Sequence, residues 1–156
     1  MAIEEGKSAP AFTLPDQHGN KVALKDFKGR NVIIYFYPKD DTPGCTKEAC
    51  GFRDLSSQFS DADAVILGIS PDGAVAHEKF ISKFDLPFTL LSDTDKKVME
   101  KYGAFGEKMM YGKTVIGVIR STVWVGGDGK VVKHWRKVPK AADHPAKVLQ
   151  QLLAAK

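Results

Sequence analysis

The sequence predicts an α/β domain in which helices cover a mixed β-sheet. Two runs rich in β-branched and aromatic residues, Asn31–Tyr37 and Ala64–Ser70, are almost continuously apolar, which is typical of strands buried on both faces. Stretches with helical spacing alternate with these strands, as in folds whose core strands are partly parallel. The 156 residues suffice for one domain with a sizeable core, and no linker, repeat or low-complexity segment divides them.

The first 25 residues predict a β-hairpin that precedes the sheet. Apolar and polar residues alternate over Ala11–Leu14 and again over Lys21–Leu24. Between them, Pro15–Asn20 has the composition of a turn. Asn31–Tyr37 follows as the predicted central strand, and Pro38 ends it.

A helix is predicted after the central strand, from Pro43 to about Phe59. Thr42 is a residue type that caps helix N-termini, and proline fits the first helical position well. Phe52, Leu55 and Phe59 recur at helical spacing, so we expect them to form the buried face of this helix.

The second half of the chain continues the alternation and ends in an antiparallel hairpin and a helix. Its predicted elements are a strand at Ala64–Ser70, helices at Ala74–Phe84 and Thr94–Tyr102, a strand at Phe88–Leu91 between them, a loop at Gly103–Lys113, strands at Gly117–Val125 and Lys130–Trp135 joined by a turn, and a helix at His144–Ala155. Asp143 is the expected cap of the last helix, and Pro145 falls in its first turn.

Composition and charge exclude several classes of function. The 23 lysines and arginines are interleaved with 19 acidic residues without any block of like charge, so no nucleic-acid partner is predicted. Met1–Lys7 lacks the pattern of a signal peptide, and no apolar run approaches the length of a membrane span. We therefore expect a cytoplasmic protein, in which a transient, redox-active disulfide is more plausible than a static one.

The only two cysteines, Cys45 and Cys50, fall within the predicted helix after the central strand. The N–H groups and dipole at a helix N-terminus favour a thiolate, which is the nucleophilic form of cysteine. Cys45 is therefore a candidate nucleophile and Cys50 a candidate partner for it. The plainer alternative is that both are small buried residues near the start of a helix.

The spacing of the cysteines separates several chemistries. Four residues intervene, so the Cys-x-x-Cys motif of dithiol reductases is absent. The four histidines are dispersed and none is near the cysteines in sequence, so no metal site is predicted. Positions i and i+5 of a helix have Cα atoms roughly 8–9 Å apart, beyond the roughly 7 Å that a disulfide allows. A Cys45–Cys50 disulfide would therefore require the first turns to unwind, which Gly44 and Gly51 would make easier.

The segment Tyr35–Cys50 resembles the peroxiredoxins, whose signature Pro-x-x-x-Thr-x-x-Cys it matches at Pro38, Thr42 and Cys45. Its full sequence is similar, almost residue by residue, to the branch named for bacterioferritin comigratory protein, also called the Q type. The likeness extends along almost the whole chain, although Val125 is followed by two glycines where relatives often have an Ile-Asp step. The resemblance implies one thioredoxin-like domain over residues 1–156, with a central mixed sheet flanked by helices and an N-terminal hairpin.

The resemblance also implies roles for the reactive groups. Cys45 corresponds to the peroxidatic cysteine and Cys50 to a resolving cysteine that some members of this branch carry in the same helix. Thr42 corresponds to the threonine that hydrogen-bonds the thiolate and the peroxide, and Pro38 to the proline that shields the site from water.

Two further residues complete the implied site. Arg120, which we expect in the strand that begins at Gly117, corresponds to the arginine that steadies the thiolate and polarises the peroxide. Glu48 falls where the branch often has an acidic or amide side chain near that arginine.

The activity that these roles imply is a thiol-dependent peroxidase without a cofactor. It would reduce hydrogen peroxide and organic hydroperoxides, and a thioredoxin-type dithiol would recycle it. Because an intrachain resolving cysteine requires no partner subunit, we expect a monomer. Two other hypotheses stay open at this point: a thiol-disulfide exchange protein on the same fold, and a binding module or holdase that uses Met109, Met110 and Tyr111 as an apolar patch.

Overall fold

The computed structural model describes residues 3–155, which form a five-stranded mixed sheet and two separate hairpins. The nine strands are β1 Thr13–Pro15, β2 Lys21–Ala23, β3 Asn31–Phe36, β4 Ala64–Ser70, β5 Thr89–Ser92, β6 Phe105–Met110, β7 Lys113–Val118, β8 Ser121–Val125 and β9 Val131–Trp135. In the main sheet the order is β5-β4-β3-β8-β9, with β3, β4 and β5 parallel and β8 and β9 antiparallel to their neighbours. This arrangement confirms the predicted α/β fold with a mixed sheet.

Strand β3 lies at the centre of the sheet, and its side chains supply both layers of the core. Ile33, Tyr35 and, just beyond the strand, Tyr37 point to the face that most helices cover. Their neighbours Val32 and Ile34 point to the opposite face, where they pack with the N-terminal hairpin β1–β2. A strand buried on both faces has no polar side, which explains the unbroken apolar run in the sequence.

Five α-helices accompany the sheet in the described part of the chain. They are α1 Pro43–Asp54, α2 Ser56–Asp61, α3 Ala74–Phe84, α4 Lys97–Lys101 and α5 His144–Ala154. The buried residues of α1, α2, α3 and α5 belong to the core layer on one face of the sheet, and those of α4 to the layer on the other face. Within residues 3–155, no helix combines the length and the apolar character needed to cross a membrane.

The predicted helix from Pro43 to Phe59 is interrupted in the structure. The chain leaves helical geometry at Leu55 (φ −105°, ψ 6°), and α2 starts at the next residue. Phe52 and Phe59 are still buried in the same core layer, as their spacing predicts. The spacing of apolar residues indicates which face of the segment is buried. It does not indicate whether the helical backbone is continuous, so the break at Leu55 could not be predicted from it.

The predicted helix at Thr94–Tyr102 is shorter than expected. Lys96 adopts a left-handed conformation (φ 63°), so α4 begins only at Lys97. The Asp93 carboxylate accepts the backbone N–H groups of Val98 and Met99, at 3.4 and 2.8 Å. This carboxylate satisfies N–H groups that the helix itself leaves unpaired and thereby sets where α4 begins.

The predicted loop at Gly103–Lys113 is wrong, as is the single strand at Gly117–Val125. Strands β6 and β7 form an antiparallel hairpin whose turn residues, Tyr111 and Gly112, both have positive φ. After Val118 the chain leaves this hairpin and enters the main sheet only at Ser121. Arg120 therefore lies between two strands, where the extended segment can direct its side chain toward α1.

The remaining predicted elements are confirmed. The N-terminal hairpin pairs Thr13 with Ala23, and β8 pairs with β9 across the turn at 126–129. Helix α5 begins after Asp143, although the carboxylate of that residue makes no capping hydrogen bond.

Candidate active site

Cys45 is the third residue of α1, in the first turn of the helix that follows the central strand β3. Only 1% of its surface is exposed, and it packs in the core layer beneath the helices. The N–H groups of this first turn lack helical acceptors and carry the positive end of the helix dipole. The fold therefore places a thiol where negative charge on sulfur is stabilised.

The guanidinium of Arg120 joins Cys45 to Glu48. Nη2 of Arg120 donates a hydrogen bond to Sγ of Cys45 at 3.1 Å, and Nη1 donates to Oε1 of Glu48 at 2.7 Å. Burial by itself would lower the pKa of Arg120, but the nearby carboxylate and sulfur outweigh burial and raise it. The guanidinium is thus a permanent cation that donates one hydrogen bond to the sulfur and another to the carboxyl group.

Glu48 lies one turn along α1 from Cys45 and is fully buried. Burial raises the pKa of its carboxyl from 4.5 to about 7, although the charge and hydrogen bond of Arg120 act in the opposite direction. Desolvation is the larger effect. Among residues 3–155, nothing bonds to the second carboxylate oxygen, Oε2. At neutral pH this group can therefore be charged or protonated.

Gly44 permits the close approach of Arg120 to α1. A Cβ atom at this position would lie 3.2 Å from Nη2 of Arg120, closer than most real contacts of this kind. The backbone N–H of Val138 donates to the carbonyl oxygen of Arg120 at 3.1 Å, which fixes the main chain of that residue. The cation is therefore positioned from both its backbone and its side chain.

Thr42 and Pro38 lie in the loop before α1, and neither forms a hydrogen bond to Cys45 in the part of the chain that the structure describes. Thr42 is the N-terminal flanking residue of α1, but its hydroxyl donates to the carbonyl oxygen of Lys39 at 2.8 Å and makes no capping bond. Pro38 is half-buried and forms part of the wall of a groove that reaches Arg120. The structure thus brings Cys45, Arg120 and Glu48 into one hydrogen-bonded group, with Thr42 and Pro38 at its edge.

The groove beside Arg120 has a volume of about 390 Å³ and mostly apolar walls. Its lining residues are Pro38, Lys108, Met109, Met110, Val118, Ile119, Arg120, Lys137, Val138 and Pro139. The exposed residues Met109, Met110 and Tyr111 lie at the tip of the β6–β7 hairpin, so the predicted apolar patch borders the site and is not remote from it. A smaller apolar cavity of about 230 Å³ lies at the other end of the sheet and contains neither cysteine.

Cys50 is half-buried and, like Cys45, is a free thiol. The next residue, Gly51, lies against helix α5: a Cβ at this position would approach Cγ of Pro145 to 2.8 Å. Nη1 of Arg53 donates to the carbonyl oxygen of Phe84 at 2.8 Å and ties the end of α1 to α3. The two cysteines therefore occupy one helix whose second half is packed tightly.

The sheet has thioredoxin-like topology, and the helix after its central strand carries an arginine-bound cysteine in its first turn and a second thiol further along. This is the arrangement of a thiol-dependent oxidoreductase. Residues 6–134 match the model of the AhpC/TSA family. The chain belongs to this family, and it is a peroxiredoxin of the Bcp or Q branch. Peroxiredoxins are peroxidases, so the protein is an enzyme that acts on hydroperoxides.

Relatives and solved structures match along nearly the full chain. Peroxiredoxin Bcp of Bacillus subtilis is 47% identical over 152 residues, which cover 97% of this chain and 96% of that protein. Peroxiredoxin Bcp of Escherichia coli is 44% identical and covers 96% of each chain. The bacterioferritin comigratory protein of Xanthomonas campestris, whose structures address alkyl peroxide reduction, superimposes with a TM-score of 0.89 at 39% identity, over 97% of this chain and 99% of that one.

Sequence reasoning missed two sets of residues near the site. Gly44 was considered only for backbone freedom, whereas the structure shows that it leaves space for a guanidinium. The polar side chains of Tyr37, Asp40 and His77 form a buried network beside the loop that precedes α1. The Asp-Asp pair before Thr42 was visible in the sequence, but nothing in it pointed to a histidine 37 residues further on.

Proposed function

We propose that Cys45 is the peroxidatic nucleophile of this peroxiredoxin. The observation that carries the proposal is the hydrogen bond of 3.1 Å from Nη2 of Arg120 to Sγ, at the N-terminus of α1. A cationic donor and a helix N-terminus both favour thiolate over thiol. Because Glu48 accepts from the same guanidinium, it orients the arginine toward the sulfur.

The proposed reaction begins when the thiolate attacks the distal oxygen of a hydroperoxide. The new S–O bond forms as the O–O bond breaks, so the sulfur is oxidised to sulfenic acid and the peroxide is reduced. The leaving hydroxide or alkoxide takes up a proton and departs as water or alcohol. Arg120 stabilises the charge that develops on that oxygen, as prepositioned donors do at other oxyanions. Thr42 would assist only after its hydroxyl turns away from Lys39.

Cys50 is the proposed resolving cysteine. Its thiol would condense with the Cys45 sulfenic acid, which forms a disulfide and releases water. An intact helix holds the two Cα atoms about 8–9 Å apart, beyond the reach of a disulfide. Since Gly51 is packed on Pro145 and Arg53 is tied to Phe84, we expect the unwinding to start from the first turn of α1.

We propose that a thioredoxin-type dithiol reduces this disulfide by exchange and returns both thiols. The mechanism requires no second subunit, so we propose a monomeric cytoplasmic enzyme made of one domain over residues 1–156. The groove beside Arg120 suits organic hydroperoxides as well as hydrogen peroxide, because its walls are mostly apolar. The similarity to the Xanthomonas protein supports this substrate range.

The test is the intact mass of the reduced protein, recorded under non-reducing conditions seconds after one equivalent of hydrogen peroxide. Loss of two hydrogens, at a rate far above that of free cysteine, is the expected result. No rapid change would overturn the assignment of Cys45. Reduction of insulin disulfides without rapid peroxide reactivity would instead favour the thiol-disulfide exchange hypothesis.

A further inference from the structure

A buried polar network holds the loop that joins β3 to α1. Asp40 lies in this loop and is 8% exposed. Its Oδ1 accepts from the hydroxyl of Tyr37 at 2.5 Å, and its Oδ2 is 2.6 Å from Nδ1 of His77, which is completely buried on α3. Oδ1 is thus bound to the first residue of the loop itself, and Oδ2 is bound to helix α3.

His77 extends the network to the edge of the sheet. Its Nε2 is 3.0 Å from the carbonyl oxygen of Leu91, which can only accept, so Nε2 carries a hydrogen. The contact of 2.6 Å between Nδ1 and Oδ2 of Asp40 also requires a proton, because two bare acceptors would repel each other. One imidazole therefore joins the loop before α1 to both α3 and β5.

The main chain of the loop is held as well. The backbone N–H of Asp40 donates to Oδ2 of Asp72 at 2.8 Å, and the hydroxyl of Ser70 donates to the same oxygen at 2.7 Å. Asp40, Asp72 and His77 lie close enough together to suggest metal ligands, but protein donors already engage the atoms involved. We therefore assign the cluster to anchoring of the loop.

The loop needs such support because of its conformation. Asp41 has a left-handed backbone (φ 58°), which a residue with a side chain adopts at some energetic cost. A loop of this kind keeps its shape only when its surroundings enforce it. Pro38, which lines the groove beside Arg120, and Thr42, which directly precedes α1, each lie two residues from the anchored Asp40 in the chain.

We propose that His77 is a positioning residue for peroxide reduction, which acts through Asp40 to hold Thr42 and Pro38 in place around the peroxide at Cys45. The inference rests on the proposed peroxidatic role of Cys45. The thiolate itself is stabilised by Arg120 and α1, which the network does not touch directly. Loss of the network should therefore slow the reaction with peroxide and leave simple alkylation of the thiolate unchanged.

The experiment compares two variants, each of which keeps one of the two hydrogen bonds that the His77 imidazole makes. His77→Asn retains a donor where Nδ1 meets Asp40, whereas His77→Gln retains a donor toward Leu91. We measure the rate of Cys45 oxidation by hydrogen peroxide in stopped flow and the rate of its alkylation by iodoacetamide. His77→Gln should oxidise roughly 10- to 100-fold more slowly, because small displacements at a reacting centre have effects of this order. His77→Asn should stay within about threefold of wild type, and alkylation should be unchanged in both variants.

His18→Gln is the matched control, since this histidine is exposed in the turn of the N-terminal hairpin. If His77→Gln does not fold, Tyr37→Phe decides instead: it removes one hydroxyl donor to Asp40, and peroxide oxidation should fall while alkylation is unchanged. Equal losses in oxidation and alkylation would show a merely structural role and overturn the proposal. If the wild type is oxidised rapidly by hydrogen peroxide and His77→Gln is oxidised equally fast, this proposal alone is overturned. The same holds for Tyr37→Phe where His77→Gln does not fold. If the wild type is oxidised no faster than free cysteine, both proposals are overturned.

Discussion

The two cysteines share one helix but occupy very different surroundings. Cys45 is 1% exposed and its sulfur accepts a hydrogen bond from a guanidinium, whereas Cys50 is half-buried beside the contact between α1 and α5. Each has an adjacent glycine, yet Gly44 leaves space for a charged side chain and Gly51 leaves space for a proline ring. The comparison teaches that the first half of α1 surrounds its cysteine with charged partners, whereas the second half places its cysteine beside a tight helix–helix contact.

Serine at each cysteine separates the two thiols most sharply. Cys45→Ser should abolish peroxide turnover, because a hydroxyl is far less nucleophilic than a thiolate. Cys50→Ser should keep the first oxidation at the wild-type rate but should stop thioredoxin-linked recycling. The measurements are single-turnover oxidation and steady-state turnover with thioredoxin. Normal recycling by Cys50→Ser would remove Cys50 from the mechanism.

Arg120→Lys tests how much of the special reactivity expected of Cys45, compared with Cys50, depends on the two N–H groups of the guanidinium. Lysine keeps the charge but cannot hold Sγ of Cys45 and Oε1 of Glu48 in parallel. We expect the rate of peroxide oxidation to fall by about 10²- to 10³-fold, as when an oxyanion donor is removed. Arg136→Lys, at an exposed site, is the control and should react normally. An unchanged rate in Arg120→Lys would mean that charge alone suffices.

Alanine at the two glycines should give opposite results. Gly51→Ala places a methyl group against the ring of Pro145, so we expect the free energy of unfolding to fall by about 1–3 kcal/mol. Gly44→Ala meets only the flexible end of Arg120, so stability should change little, while peroxide oxidation slows by roughly 10-fold. Thermal melts and single-turnover rates check the pair. Similar melts and similar rates for both variants would contradict the division of α1 into two functional halves.

Glu48→Gln should leave the architecture of α1 unchanged and alter only the pH dependence of stability. Burial raises the pKa of Glu48 to about 7 in the folded protein, against 4.5 for an ordinary glutamate. The folded state therefore binds more protons between these values, so its free energy of unfolding should fall as pH rises from about 4.5 to about 7, by at most about 3 kcal/mol. Glu48→Gln should lack this component. Denaturant unfolding at pH 5 and pH 8 measures this component of the free energy of unfolding. Identical pH dependence in the wild type and in Glu48→Gln would contradict the prediction.

The sheet and the reactive cysteine could be predicted because local signals decide them. Unbroken apolar runs identify β3 and β4 as central strands, and the residues before Cys45 form a contiguous motif. The β6–β7 hairpin was missed because most of its side chains are at least partly exposed and its strand β6 lacks alternating polarity. Its turn also places Tyr111 at positive φ, where glycine or asparagine would have been the recognisable signal.

The arrangement around the sulfur depends on contacts between distant parts of the chain. Arg120 was expected inside a strand, but it lies where the chain passes between two sheets, and its contact with Cys45 spans 75 residues. The resemblance identified Arg120 as a partner of Cys45, but no local pattern in the sequence indicates a contact over that distance. The link between Asp40 and His77 was missed for the same reason, because neither residue is unusual in its own segment.

The contacts of Asp40 and of Arg53 lie at the two ends of the segment that would rearrange in the proposed redox cycle. Only about a dozen residues lie between these two contacts. The aromatic side chains under this segment belong to the core layer that packs against the sheet. At about 12–15 cal/mol/K per residue, complete disorder of that segment would change the heat capacity by no more than about 0.2 kcal/mol/K. If the proposed cycle holds, the reduced and oxidised proteins should therefore have nearly the same heat capacity of unfolding, because only one helical segment would melt between them.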